Sequence, residues 1–206
     1  MDLPVVFVSM YEHNSNLLPW RESGARVVVI PNTKNADFDY EVLEKELQAH
    51  ASEKCLKIGA FSAGSNLTGT LNDTDRMAIL CHTYGCLAFF DYAGVAPYVG
   101  INMNGPNELR RFAFDPTEKS ALAYKDAVFI SPHKFLGGPG SSGVLICKKT
   151  LLYVYDPKPA RPGGGTVVYV NEDNTDYAEN IEEIEESGTP GVIQDIRAGL
   201  VFQLKE

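Results

Sequence analysis

Apolar and polar positions fall in blocks along this chain, and the blocks switch between a strand pattern and a helix pattern. Val5-Val6-Phe7-Val8 is a short unbroken apolar run, as expected of a strand buried on both faces. Arg26-Val27-Val28-Val29-Ile30 is a second, closed by Pro31. Asp39 then stands in the place of a helix N-cap, and Leu43 and Leu47 at i, i+4 predict a helix to about His50. Leu56 to Phe61 reads as a third strand. A second helix is expected from Thr70 to Tyr84, with Met77, Leu80 and Cys81 on its apolar side and Asp73 and Asp75 near its start. Cys86 to Phe90 is a fourth strand ending at Asp91, and Ala127 to Ile130 and Val144 to Cys147 are two more. Alternation of this kind predicts an α/β fold, a mostly parallel sheet with helices on both faces.

Composition narrows the class. A chain of 206 residues with 44% hydrophobic and 22% charged residues is an ordinary globular domain. No apolar run approaches the roughly 20 residues that cross a bilayer, so no membrane partner is expected. Met1-Asp2-Leu3-Pro4 lacks the basic start of a signal peptide. Cys55, Cys81, Cys86 and Cys147 form no Cys-x-x-Cys pair and read as reduced thiols of a cytoplasmic protein, with an organellar location left open and no metal site. The net charge of −9 is concentrated: eight acidic residues and no Lys or Arg lie within 171–187. That run reads as a solvated loop or an exposed helix face, and it argues against a nucleic-acid partner. A nucleotide-binding domain is a poor match too, since no Gly-x-Gly-x-x-Gly follows the first strand and no Gly-Lys-Ser/Thr loop is present.

In a parallel α/β sheet, ligands bind at the carboxyl ends of the strands. The polar residues delivered there are Glu12-His13, Ser65-Asn66, Asp91 and His133-Lys134. Lys134 follows the run Ala127–Ile130 and precedes the glycine-rich Gly137-Gly138-Pro139-Gly140-Ser141-Ser142-Gly143. A lysine amine held there, stripped of some water, can lose its proton and attack a carbonyl, as a Schiff base with a substrate or with pyridoxal 5'-phosphate requires. The alternative is a surface lysine beside a turn. Around it, Asp91 could keep a pyridine nitrogen protonated, or be a cap or turn residue. His13 could stack on the ring, or be a structural or surface histidine. Asn66 could donate to the ring oxygen, or belong to a turn. Ser131 and His133 could hold the phosphate beside the lysine.

Taken together, four segments look like one family. Glu12-His13-Asn14-Ser15-Asn16-Leu17-Leu18-Pro19-Trp20, Ser65-Asn66-Leu67-Thr68-Gly69-Thr70, Asp91-Tyr92-Ala93-Gly94 and Ser131-Pro132-His133-Lys134 resemble the class V, cysteine desulfurase-like branch of fold-type I pyridoxal phosphate enzymes. The resemblance runs from about residue 5 to residue 200. It implies the large-domain fold of those enzymes and an amino-acid substrate. It also implies Lys134 as the lysine that binds the cofactor, Asp91 as the pyridinium partner, His13 as the stacking ring and Asn66 at the ring oxygen. Ser131 and His133 fall at the phosphate. Gly163-Gly164-Gly165-Thr166 resembles the turn whose hydroxyl residue, here Thr166, reaches the cofactor of the other subunit, which implies a homodimer. Gly188-Thr189-Pro190 resembles an element that opens a helix near the site, expected from Pro190 to Lys205.

Cysteine desulfurase or selenocysteine lyase is the reaction implied first. A class V transaminase, epimerase or kynureninase-like lyase shares these positions, and an inactive binding protein on the same fold is the alternative from another class. Departures from the family's pattern are Gly94 where a Gln is usual, Pro132 where Gly is commoner, and a long stretch from Asn102 to Tyr124 that reads as an insertion over the site. None of the four cysteines stands at the family's catalytic-cysteine position. The family's phosphate-cradling segment and C-terminal small domain have no room here. Residues 1–206 are therefore expected to be a partial large domain, with weak cofactor retention, little activity of its own and uncovered apolar surface.

Overall fold

The computed structural model describes residues 3–105, 118–152 and 158–206. Six strands form one sheet in the order β2-β1-β3-β4-β5-β6: β1 is Val5–Ser9, β2 Arg26–Ile30, β3 Lys57–Ser62, β4 Leu87–Asp91, β5 Ala127–Ile130 and β6 Val144–Cys147. The first five run parallel, and β6 is antiparallel to β5, to which the chain returns directly after the Lys134 loop. β1 and β3 are buried along their whole length, as unbroken apolar runs in a parallel sheet should be.

Helices cover both faces. α1 (Asn14–Glu22) lays Leu17 and Trp20 against the Val6, Val8, Ile58 and Ala60 side of the sheet. α2 (Tyr40–His50) and α3 (Thr74–Thr83) cover the opposite side, where Leu43, Leu47, Met77 and Cys81 join Phe7, Phe61, Phe90 and Val128 in the larger core. Asp39 caps α2, accepting from Glu41 N and Val42 N, as expected. α3 begins at Thr74 rather than Thr70, because Asp73 is its cap and Leu71 bridges back to Gly64.

Four elements lie outside the expected pattern. α1 occupies a segment rich in polar residues. β7 (Val167–Val170) and β8 (Thr175–Tyr177) form a separate antiparallel hairpin. α4 (Ile181–Glu185) lies within the acidic run, because Ile181 and Ile184 are buried on one side of it while Glu182 and Glu183 face solvent. α5 (Val192–Lys205) matches the expected last helix. It buries Ala198 and Val201 and leaves Ile193, Ile196, Leu200 and Leu204 exposed, the uncovered apolar surface anticipated above. Of the stretch expected to be an insertion, residues 106–117 lie outside the described residues.

Candidate active site

The register of the sheet sets one level for the site. Ser62, Asp91 and Phe129 stand side by side across β3, β4 and β5, and Leu145 of β6 is opposite Phe129. Paired residues share a face of the sheet, and residues two apart along a strand share it too. Phe89 and Asp91 therefore project together. They point to the side that α1 covers over β2 and β3, where Trp20 also meets Phe89, and a cleft of about 780 Å³ opens there.

Six of the seven candidate residues line this cleft: His13, Asn66, Asp91, Ser131, His133 and Lys134. Its walls are Trp20, Phe89, Phe129 and Leu145, an apolar setting for a flat ring. Each polar group is placed by a local device. His13 is the N-cap of α1. Buried Ser65 accepts from Leu67 N and Thr68 N, and Gly69 takes a positive φ of 72°, so the turn closes beneath Asn66 and leaves its side chain outward. Asp91 Oδ1 accepts from Ala93 N at 2.8 Å, and its second oxygen hydrogen-bonds no other described residue. Lys134 ends a 3-10 turn, Pro132–Lys134, whose N-cap Ser131 makes no side-chain capping bond. The side chains of Asn66, Ser131, His133 and Lys134 hydrogen-bond no other described residue.

The loop after Lys134 is rigidly defined. Gly138 N donates to Phe135 O, and a Cβ on Gly138 would fall 2.0 Å from Pro132 O, so no other residue fits there. α5 holds the loop from outside: Arg197 donates to Pro139 O at 2.6 Å, Ser142 Oγ bonds Asp195, and Phe135 meets Phe202 edge-on at 5.0 Å.

Thr166 lies apart. It is fully buried, and its hydroxyl donates to Gly163 O at 2.6 Å within the glycine turn. Gly188 N donates to Gly164 O, which ties that turn to the Gly188-Thr189-Pro190 element.

One functional group was not given a role by sequence reasoning. The Glu12 carboxylate accepts from Ser9 N (3.2 Å), Ser9 Oγ (2.5 Å), Asn16 Nδ2 (2.6 Å), Ser62 N (2.8 Å) and Ser62 Oγ (2.7 Å). It joins the ends of β1 and β3 to α1, immediately before His13. Its adjacency to His13 was visible, but the serines that face it come from strand ends that only the fold brings together. Phe89 and Phe129 were also passed over. The two-residue spacing between Phe89 and Asp91 was the available signal.

A family model, aminotransferase class-V, matches residues 5–107 and 122–206. The chain belongs to this family. The unmatched residues 108–121 fall inside the stretch from Asn102 to Tyr124, in keeping with an insertion there. A probable cysteine desulfurase of Halalkalibacterium halodurans is 28% identical over 207 residues, covering 98% of this chain and 44% of that protein. One of Vibrio cholerae is 30% identical over 192 residues, covering 91% and 41%. The crystal structure of the Escherichia coli cysteine desulfurase CsdA matches with a TM-score of 0.72 at 26% identity, covering 98% of this chain and 45% of that one. The apo cysteine desulfurase of Thermococcus onnurineus, at 23% identity and a TM-score of 0.76, has the same fold. This chain thus spans less than half the length of the relatives it matches. No helix among the described residues is long and apolar enough to cross a membrane.

Proposed function

We propose that this class V chain forms the pyridoxal 5'-phosphate cleft of an enzyme that acts on an amino acid, of the cysteine desulfurase or selenocysteine lyase type. The observation that carries the reading is the convergence of His13, Asn66, Asp91, Ser131, His133 and Lys134, from four strand ends, on one cleft walled by aromatic rings. The chemistry of these groups fits the cofactor. Ser131 Oγ, His133 and Lys134 offer donors to an anion, and the unused oxygen of Asp91 can hold a proton on a ring nitrogen. Pyridoxal phosphate, when bound, supplies an electron sink for the pair released when a bond to the substrate Cα breaks.

In this reading Lys134 would hold the cofactor, and its amine would move the proton at the substrate Cα. Asp91 would hold a proton on the cofactor's ring nitrogen, the His13 ring would lie against its ring and the Asn66 amide would reach its ring oxygen. The active form is a homodimer in which Thr166 serves the neighbouring site. To do so its hydroxyl must turn away from Gly163, which it bonds here. Gly94 favours a second reading, a transaminase, epimerase or kynureninase-like lyase. It lines the cleft beside Asn66 with no side chain, where the desulfurases resembled above carry a Gln.

The test is chemical trapping. The chain is incubated with pyridoxal phosphate, reduced with borohydride and mapped by peptide mass spectrometry. Modification should concentrate on Lys134 and vanish from that peptide in Lys134→Ala, with no other lysine taking its place. A label spread evenly over the lysines, and unaltered in total by Lys134→Ala, overturns the reading.

A further inference from the structure

The two ring nitrogens of His13 are in different situations. Nδ1 accepts from the Ser15 backbone N–H at 3.2 Å and lies 3.0 Å from Ser15 Oγ. His13 has the extended backbone of a cap residue, φ −61° and ψ 147°, so this ring nitrogen does for α1 what an Asp or Ser oxygen usually does. Nε2 makes no hydrogen bond to a described residue, and the ring lines the cleft.

A cap must present a lone pair. A proton on Nδ1 would set one N–H against another and leave the Ser15 N–H without an acceptor. We infer that capping of α1 selects the Nε2–H tautomer of His13, so that the ring presents an N–H donor, and not a proton-accepting lone pair, to whatever occupies the cleft. The ring has little freedom to escape this arrangement. Glu12, one residue before the cap, is clamped to Ser9 and Ser62 at the strand ends and to Asn16 within the first turn of α1. The chain on both sides of His13 is thereby held, and the orienting bond is made by backbone, the role that a carbonyl or carboxylate plays for many functional histidines. The tautomer follows from the helix cap alone. Its use toward a cofactor rests on the function proposed above.

The chain carries four histidines, so each ring can be assigned by substitution. Long-range proton–nitrogen correlation spectra of the nitrogen-15-labelled chain should show His13 with a bare Nδ1 and a protonated Nε2. A protonated Nδ1 in the neutral ring, or a mixture of the two tautomers, overturns the inference. A pair of variants checks the cap independently. His13→Asn keeps an acceptor near the position of Nδ1 and should melt with the parent chain, whereas His13→Ala should melt about 2–4 °C lower. Equal losses in the two variants overturn the assignment of Nδ1 to the cap. A pyridoxal phosphate label spread evenly over the lysines, with His13 still in the Nε2–H form, overturns the proposed function and leaves this inference standing.

Discussion

Lys125 Nζ lies 3.0 Å from Asp75 Oδ1, and the lysine is fully buried. The pair fastens the start of β5 to the first turn of α3, with the ammonium also 5.8 Å from the centre of the Phe90 ring. Burial pushes the Lys125 pKa below the ordinary 10.5, while Asp75 pulls it upward.

Asp75→Asn removes the countercharge from a cation that cannot reach water. The expected cost is about 3 kcal/mol in urea unfolding. Adding Lys125→Met to that variant should recover part of it, because the stranded charge is then gone. The pH response has a definite sign. The folded state binds the Lys125 proton less tightly than the unfolded chain does, so this group's contribution rises with pH from the folded pKa toward 10.5. In Asp75→Asn the rise should begin at lower pH. Unfolding midpoints that are identical in both proteins across that range would contradict the account.

Tyr40 behaves in the opposite sense. Its hydroxyl accepts from Asp73 N at 2.8 Å, Arg76 sits 4.4 Å over its ring, and burial raises its pKa from 10.0 to about 12. A raised phenol pKa means that folding favours the protonated form. The contribution is complete below pH 10 and is lost as pH rises toward 12. At about 1.4 kcal/mol per pKa unit the loss is roughly 2–3 kcal/mol. Tyr40→Phe should lack this alkaline decline, and the difference between the two proteins isolates Tyr40 from Lys125.

The loop behind Lys134 gives a steric prediction. Gly138→Ala must move Pro132 O, since the new Cβ would lie 2.0 Å from it, and Pro132 opens the turn that carries Lys134. Loss of stability of about 3 kcal/mol and of Lys134-directed labelling is expected. Gly143→Ala is the control, because nothing lies within 4 Å of its added Cβ. Equal behaviour of the two variants would remove the close approach as the reason for glycine at 138.

Much of this architecture was legible where burial dictates residue type. The runs at β1, β3 and β5 are apolar because both faces of a parallel sheet are covered, and Asp39 announced α2 by the same capping bonds it makes in the structure. α1 was not legible, since its cap is a histidine, Pro19 lies inside it and Asn16 is a residue it buries. α4 was hidden for a related reason: two isoleucines at i, i+3 bury one side of a segment whose composition is dominated by carboxylates. The antiparallel sense of β6 depends on the path of the Lys134 loop, which no residue pattern in β6 encodes. The residues of the candidate cleft could be singled out because Asp91 ends a strand and Asn66 and Lys134 follow strand ends closely. What joins the ends of β1 and β3 to α1, the Glu12 carboxylate, is a long-range arrangement and became visible only with Ser62 beside it.

Glu12 supplies the last prediction. Its carboxylate has five donors directed at it and offers acceptors only, so every contact has the right polarity. In Glu12→Gln one oxygen becomes an NH2 group. That group must face either the Ser9 and Ser62 amides or Asn16 Nδ2, donor against donor. Charge-assisted bonds are lost at the same time, and a cost of about 2–3 kcal/mol is expected. The damage should not be confined to stability, because α1 begins one residue later with His13. The His13 ring signals should broaden or split in the variant, and Lys134-directed labelling by pyridoxal phosphate should fall. Glu12→Ala, which removes the charge but brings no opposing donor, should leave the Ser9 and Ser62 donors that face it unpaired and cost at least as much. A Glu12→Gln chain with parental stability and an unperturbed His13 spectrum would mean that the strand ends and α1 hold their places without this carboxylate.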